Sequence, residues 1–368
     1  SVFKEVPSFD NVGYPIAEIF EDGRFNITKH AGTGGLVSKG TVTAQLLYEI
    51  SSPAYVNPDV VSHFDTLKIE ELEKDKVHVS GCRGSSPPKD HKVCINLAGG
   101  FRNGMEIILT GLDIEEKAKV FTEVLFNSVG GQEQFDEVFI ELQRTDKENP
   151  TTNEQAMASL VISVKSSNQE LVGRLFSAKI IELALANIPG FFAESGPKSS
   201  GPVIIYWPAL VDSKYITEKV HIDGKEIEVV PTSQLDYEEI YYQREPISID
   251  SVNISDQKEI YFGNLFGTRS GDKGGCANLG VWAKNNLSYS FLYNFLTIEK
   301  LKELLPDLSE YKIERFELPN INSLNFYIHD ILEDGVSSNN RKDGQAKSLG
   351  EYLRVKKILV PDSILLET

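Results

Sequence analysis

Twice along the chain the hydrophobic periodicity switches in one order, strand, helix, strand, strand, helix, strand, and that repetition limits the fold more than any composition figure does. In the first copy, residues 105–110 read as a strand. Asp113 then opens a helix through Val129, with Glu116 at the capping-box position and Gly130 as its stop. Ala118, Phe121, Val124, Leu125 and Val129 share one face of that helix. Residues 138–142 and 160–164 are β-branched strands separated by the turn-rich stretch 145–153. A helix over 171–187 ends at Pro189-Gly190, and 203–207 is a further strand. In the second copy, 259–266 and 279–283 read as strands, 298–305 as a helix stopped by Pro306, 313–318 and 324–331 as strands, 346–356 as a helix and 358–360 as a last short strand.

Each copy corresponds to a ferredoxin-like β-α-β-β-α-β module, the second with an extra hairpin. Ahead of them, Val42, Leu46, Leu47 and Ile50 share a helix face, and 77–80 and 93–97 read as a strand pair around the loop 81–90. The expected class is therefore α+β with an α/β portion: the closing part of an α/β domain over 1–100, a ferredoxin-like module plus linker over 101–250, and a second ferredoxin-like domain over 256–368. The charged, tyrosine-rich stretch 212–255 lacks periodicity and reads as linker and covering loop.

At 368 residues the chain suits two or three domains, and its 40 % apolar content supports real burial. A formal charge of −17, with the cations scattered among acids, argues against nucleic acid as a partner. Cys82, Cys94 and Cys276 are odd in number and lack CxxC spacing, so no disulfide framework or zinc ribbon is expected, and a reducing cytoplasm fits. Cys276 reads as a small structural thiol. No apolar run approaches the roughly 20 residues of a membrane span, and no signal-peptide pattern opens the chain. Histidines are isolated, so no metal site is expected.

Against that acidic background, Arg269-Ser270-Gly271-Asp272-Lys273-Gly274-Gly275-Cys276-Ala277-Asn278 concentrates two cations, an acid, an amide and three glycines. Read as a loop, its glycines line up N–H groups as an anion nest, while Arg269 and Lys273 add charge-assisted donors. Asp272 supports the loop by holding Lys273 or Arg269. The plainer reading is a hairpin end whose charges only satisfy the turn. Lys29-His30-Ala31-Gly32-Thr33-Gly34-Gly35 has glycines and a basic flank too, but lacks the GKS/GKT ending of a nucleotide loop.

These two segments, with Gln45-Leu46-Leu47-Tyr48-Glu49-Ile50, Asn57-Pro58-Asp59-Val60-Val61, Tyr206-Trp207-Pro208-Ala209-Leu210 and Lys347-Ser348-Leu349-Gly350-Glu351-Tyr352-Leu353-Arg354, resemble the acyclic terpene utilisation AtuA-like family across essentially the whole chain. The resemblance implies a ferredoxin-like carboxyl-terminal domain and a place in terpenoid or branched acyl-CoA metabolism, without naming a reaction. Family members carry a further region ahead of the segment resembling Gly13-Tyr14-Pro15-Ile16-Ala17-Glu18, so that region is expected to be missing here.

The expected ligand is a small anionic acyl compound held between the two glycine-rich loops, with CoA entering only as part of the substrate and no separate cofactor. His30, Asp272 and Lys273 are the candidate proton-transfer groups. Lys29, Thr33, Gly34, Gly35, Arg83, Arg269, Ser270, Gly271, Gly274, Asn278 and Arg341 are the candidate binding residues. An enzyme needs the two loops to converge on one cleft, whereas the alternative, a non-catalytic accessory or scaffold subunit, does not. Unpaired sheet edges favour a homo-oligomer.

Overall fold

The computed structural model describes residues 2–186, 188–229 and 256–366. Near the amino terminus, strands β1 (Ile16–Ile19) and β2 (Phe25–Thr28) precede helix α1 (Lys39–Leu46), followed by β3 (Ala54–Val56), β4 (Val61–His63), β5 (Lys68–Glu73), β6 (Lys76–Ser80) and β7 (Arg83–Ser85). They form a four-stranded antiparallel sheet, β1-β2-β6-β5, and a three-stranded one, β3-β4-β7. The expected α/β segment is therefore mostly antiparallel. Its connections explain why: β5 and β6 are separated only by Lys74-Asp75, far short of the dozen or so residues a parallel crossover needs. Residues 77–80 pair with β2 and β5 rather than with 93–97.

Residues 93–97 belong instead to the long strand β8 (Asp90–Thr110), followed by α2 (Ile114–Ser128), β9 (Glu137–Gln143), β10 (Met157–Ser166), α3 (Arg174–Glu182), β11 (Phe191–Ala193) and β12 (Gly201–Asp212). The sheet runs β11-β8-β10-β9 with every neighbour antiparallel, and β12 also pairs with β8. Fourth, first, third and second strand is the sequence order that a β-α-β-β-α-β chain with helices on one face produces. Both helices press onto one side of it: Phe121 and Leu125 of α2 and Phe176 and Ile180 of α3 share a core with Ile107, Leu109, Leu160 and Ile162. Strict alternation in β10, burying Ala158, Leu160, Ile162 and Val164, sets that face. The expected capping box is absent, because Asp113 sits in the left-handed region at φ 60° and its side chain makes no cap hydrogen bond.

Part of the stretch expected as linker is a hairpin, β13 (Glu218–Ile222) with β14 (Lys225–Val229). Residues 230–255 of that stretch lie outside the described residues. Then come β15 (Gln257–Tyr261), α4 (Phe262–Leu265), β16 (Gly267–Lys273), β17 (Cys276–Trp282), α5 (Asn286–Phe295), α6 (Ile298–Leu304), β18 (Ile313–Leu318), β19 (Ser323–Ile328), α7 (Leu349–Arg354), β20 (Lys357–Pro361) and α8 (Asp362–Leu365). The main sheet is β16-β17-β19-β18. The place beside β17 is taken by β16, which precedes it in the chain, while β20 pairs with β15 in a separate ribbon.

The glycine-rich run is thus a hairpin, not a loop between strands. Arg269 pairs with Gly280 and Lys273 with Cys276, leaving Gly274-Gly275 as the turn, with Gly274 at φ 67°. The β16 backbone is extended and paired with β17, so successive N–H groups point to opposite edges of the strand and do not converge into an anion nest.

The chain divides into two compact units: Ser1–Ile95 with Pro208–Val336 and Asp343–Thr368, and Asn96–Trp207 with Ser337–Lys342. Residues 1–95, most of the segment 1–100 expected as the closing part of a separate α/β domain, share a unit with the carboxyl-terminal sheet. The reason is a common core, in which Leu47, Ile50, Val77 and Val79 pack with Trp282, Leu318 and Ile321.

Candidate functional site

Ser38 starts α1 through a capping box, its Oγ accepting from Thr41 N at 3.2 Å while Thr41 Oγ1 accepts from Ser38 N at 2.9 Å. The helix ends after two turns, and the residues that follow lie against the carboxyl-terminal sheet. Two fully buried asparagines hold them there. Asn278 Oδ1 accepts from Glu49 N at 2.8 Å, and its Nδ2 donates to Leu47 O at 2.6 Å and to Asn325 Oδ1 at 2.9 Å. Asn325 Nδ2 donates onward to Ser51 O at 3.2 Å.

This close approach is what the glycines permit. A Cβ at Gly271 would stand 2.7 Å from Tyr48 Cε2, and one at Gly280 would stand 2.5 Å from Leu47 Cβ. Tyr48 consequently lies over the hairpin with the Arg269 guanidinium 4.2 Å from its ring centre and the Lys347 ammonium 4.4 Å from it. Lys347 Nζ also donates to Glu49 Oε1 at 2.7 Å and to the Tyr48 hydroxyl, and stands 3.4 Å from Asp272 Oδ1. Its backbone is fixed by Asp343, which accepts from the N–H groups of Lys347 and Ser348 at 2.8 Å each.

The charges are unequally matched. Burial works against the Glu49 carboxylate, but hydrogen bonds from Lys347 and Tyr48 outweigh it and hold its pKa below the usual carboxylate range. Burial works against the Lys347 ammonium as well, yet Glu49 pushes its pKa above the ordinary lysine value. Lys273 goes the other way: burial, aided by the charge of Lys92, lowers its pKa despite Glu49 and Asp272. Its ammonium lies 5.4 Å from the Tyr55 ring centre. Among the described residues, no carboxylate comes within ion-pair distance of Arg269 or Lys273. Arg269 is exposed and opens on a recess of about 310 Å³ lined by Thr268, Ser270, Lys347, Gly350 and Glu351.

Several expected binding residues prove structural. Asn278 is the clamp just described and is fully buried. Ser270 is buried with its Oγ accepting from Gly350 N at 3.1 Å, and Gly271 is a packing position. Asp272 pairs with Lys347 rather than with Lys273 or Arg269.

The Lys29–Gly35 segment is a closed turn. Lys29 Nζ donates to Thr33 O at 2.7 Å and Thr33 Oγ1 at 3.3 Å, and lies 3.8 Å from Asp75 Oδ2. Thr33 donates to His30 O through both N and Oγ1, Gly34 N donates to Asp10 O at 3.1 Å, and Gly35 N donates to Ser8 O at 2.8 Å. The amides of Thr33, Gly34 and Gly35 are thus spent on carbonyls instead of facing an anion. His30 is exposed beside this turn. The segment lines a different, apolar recess, whose walls share no residue with the recess at Arg269, so the two glycine-rich segments do not converge on one cleft.

Arg83 sits on the exposed strand β7, its N–H donating to Thr66 Oγ1 at 2.8 Å. Arg341 belongs to the second unit, its N–H donating to Asn339 Oδ1 at 3.0 Å. Tyr48, Glu49 and Lys347 were not among the expected site residues, although each lies in a segment that carries the family resemblance.

An antiparallel α+β protein whose carboxyl-terminal hairpin displays an aromatic-backed arginine beside a lysine–carboxylate cluster is the class these observations define. Residues 1–222 match the acyclic terpene utilisation family protein AtuA, and residues 262–359 match the AtuA ferredoxin-like domain. The chain belongs to the AtuA family. The first match begins at residue 1, against the expectation that the family's amino-terminal region is missing. Comparisons with curated proteins and with solved structures found no match. Among the described residues, no helix is long and apolar enough to cross a membrane.

Proposed function

We propose that this AtuA-family chain serves acyclic terpenoid or branched-acid utilisation by binding the anionic end of an acyl substrate, a carboxylate or a phosphate of its CoA ester, at the hairpin recess. The observation that carries this reading is Arg269: an exposed guanidinium over the Tyr48 ring, 4.2 Å from its centre, with no carboxylate partner among the described residues. A planar fork presented in this way suits bidentate pairing with an oxyanion. Lys347 contributes position more than free charge, because Glu49 and Asp272 already offset it.

Lys273 is the proton-transfer group in this reading, since a half-buried amine less basic than ordinary lysine spends more time in its neutral form. Glu49 and Asp272 set its surroundings. His30, at the separate turn, has no part in this step.

Calorimetric titration with a branched acyl-CoA and its free acid tests the reading. Arg269→Lys conserves charge but removes the fork, so affinity should fall by about tenfold to a hundredfold, equivalent to roughly 1.5–3 kcal/mol for one charge-assisted contact. Equal affinities for both proteins would remove Arg269 from the site. Absence of any binding by the unmodified protein would favour the accessory-subunit role.

A further inference from the structure

We infer that the recess beneath the Lys29–Gly35 turn is a second ligand site, one that takes a short aliphatic molecule bearing an uncharged hydrogen-bonding group. The recess has a volume of about 400 Å³, and its walls include Phe25, Ile27, Val37, Val42, Leu46 and Val79. That volume lies within the roughly 300–1,000 Å³ of small-molecule pockets, which are mainly apolar with a few polar groups fixing orientation.

The polar inventory specifies the head group. Lys29 is the charged side chain on the wall, and its ammonium is already engaged by Thr33 and Asp75, with only 12 % of the side chain exposed. An anion would find that charge spent, and a cation would find no carboxylate among the described residues of the wall. Thr41 is committed to the capping box with Ser38. Exposed Gln45 remains, a carboxamide able both to donate and to accept. An alcohol, aldehyde or ester matches it.

The glycine-rich motif builds this recess. Gly34 and Gly35 donate to Asp10 and Ser8, which brings the stretch Val12 to Pro15 over the turn as one wall. A Cβ at Gly34 would stand 2.3 Å from Asp10 O, so a larger residue would push that wall away. In place of a phosphate cradle, the glycines give a closely approached backbone strap beside an apolar hollow.

The inference is independent of Arg269. Isothermal titration of the full chain with 3,7-dimethyloctan-1-ol tests it, using Val42→Phe and Leu46→Trp to fill the recess and Arg269→Ala as the control. Binding should weaken at least tenfold in each filled variant and stay unchanged in Arg269→Ala. Gln45→Leu changes an exposed side chain and should weaken the alcohol while leaving 2,6-dimethyloctane unaffected, which keeps the test open if a filled variant does not fold. Four results would overturn the inference: no binding up to the alcohol's solubility, full affinity in folded filled variants, an unchanged alcohol-to-alkane ratio in Gln45→Leu, or affinity that falls as protein concentration rises, the mark of a second copy in the recess. Loss of acyl-CoA binding in Arg269→Ala with alcohol binding intact would separate the two sites.

Discussion

Replacing Asn278 by alanine should unfasten the amino-terminal segment from the carboxyl-terminal sheet. The carboxamide joins three partners at 2.6, 2.8 and 2.9 Å in a fully buried position. Truncation leaves the Glu49 N–H, the Leu47 carbonyl and the Asn325 Oδ1 short of a partner. A buried polar group left unpaired costs about 1–3 kcal/mol. Glu49 lies at the edge of the cluster, where water can replace part of what is lost, so the total should come to about 3–5 kcal/mol. At a urea dependence of about 2 kcal/mol per molar, the unfolding midpoint should move down by about 2 M.

The chain carries its own probe for this measurement. Of its two tryptophans, Trp282 lies on β17 and is buried at 8 % exposure, whereas Trp207 is 58 % exposed. In a Trp207→Phe background, fluorescence therefore reports the unit that holds Asn278. Asn278→Asp keeps the acceptor for Glu49 N but turns a charged oxygen toward two acceptors, so it should cost at least as much as alanine. A loss below about 1 kcal/mol in the alanine variant, or a stable aspartate variant, would refute the argument that this side chain holds the 47–51 turn.

Gly34→Ala should destabilise by about 1–3 kcal/mol, because the new methyl meets the backbone oxygens of Asp10 and Ser8 at 2.3 and 2.6 Å and neither can swing aside as a side chain would; thermal melts that match the parent would contradict this. The Glu49 carboxyl, opposed by burial but held down by hydrogen bonds from Lys347 and Tyr48, has a folded pKa below its unfolded one. Its contribution to stability is therefore present above the unfolded value and lost as pH falls through the folded one. Urea midpoints should drop more steeply below about pH 4.5 in the parent than in Lys347→Gln, and parallel pH profiles would show that the pair adds nothing.

The unit spanning Asn96–Trp207 was legible in the sequence because its information is local. Alternation in β10 and the apolar stripe of α2 fix strand, helix and buried face without reference to distant residues, and the strand order follows from short antiparallel connections. The hairpin at 267–282 was legible only as the plainer alternative to an anion-binding loop, for the opposite reason. Ser-Gly-Asp-Lys-Gly-Gly has turn composition, and what makes most of it strand is the approach of Leu47 and Tyr48 from more than two hundred residues away, which requires Gly271 and Gly280 to lack side chains. Local propensity gave way to a tertiary contact.

The same distinction governs the candidate site. Arg269 and Lys273 stood out because cations crowded among glycines are unusual in an acidic chain. Tyr48, Glu49 and Lys347 did not, since a lone tyrosine, glutamate or lysine carries no signal until Lys347 meets Glu49 across 298 positions of sequence. Glycine-rich motifs were the most visible feature and the most misleading one. Both were read as parts of an anion site, the carboxyl-terminal one as a nest, yet in each the glycines serve close packing: at Gly271 and Gly280 to admit Tyr48 and Leu47, at Gly34 to admit the Asp10 carbonyl. An anion nest needs successive amides converging on one point, and here they alternate along a strand or, at Thr33, Gly34 and Gly35, donate to carbonyls. What the packing achieves is indirect: it sets an aromatic ring beneath Arg269 and an apolar hollow beside Lys29, so the chemistry the glycines support belongs to the side chains brought against them.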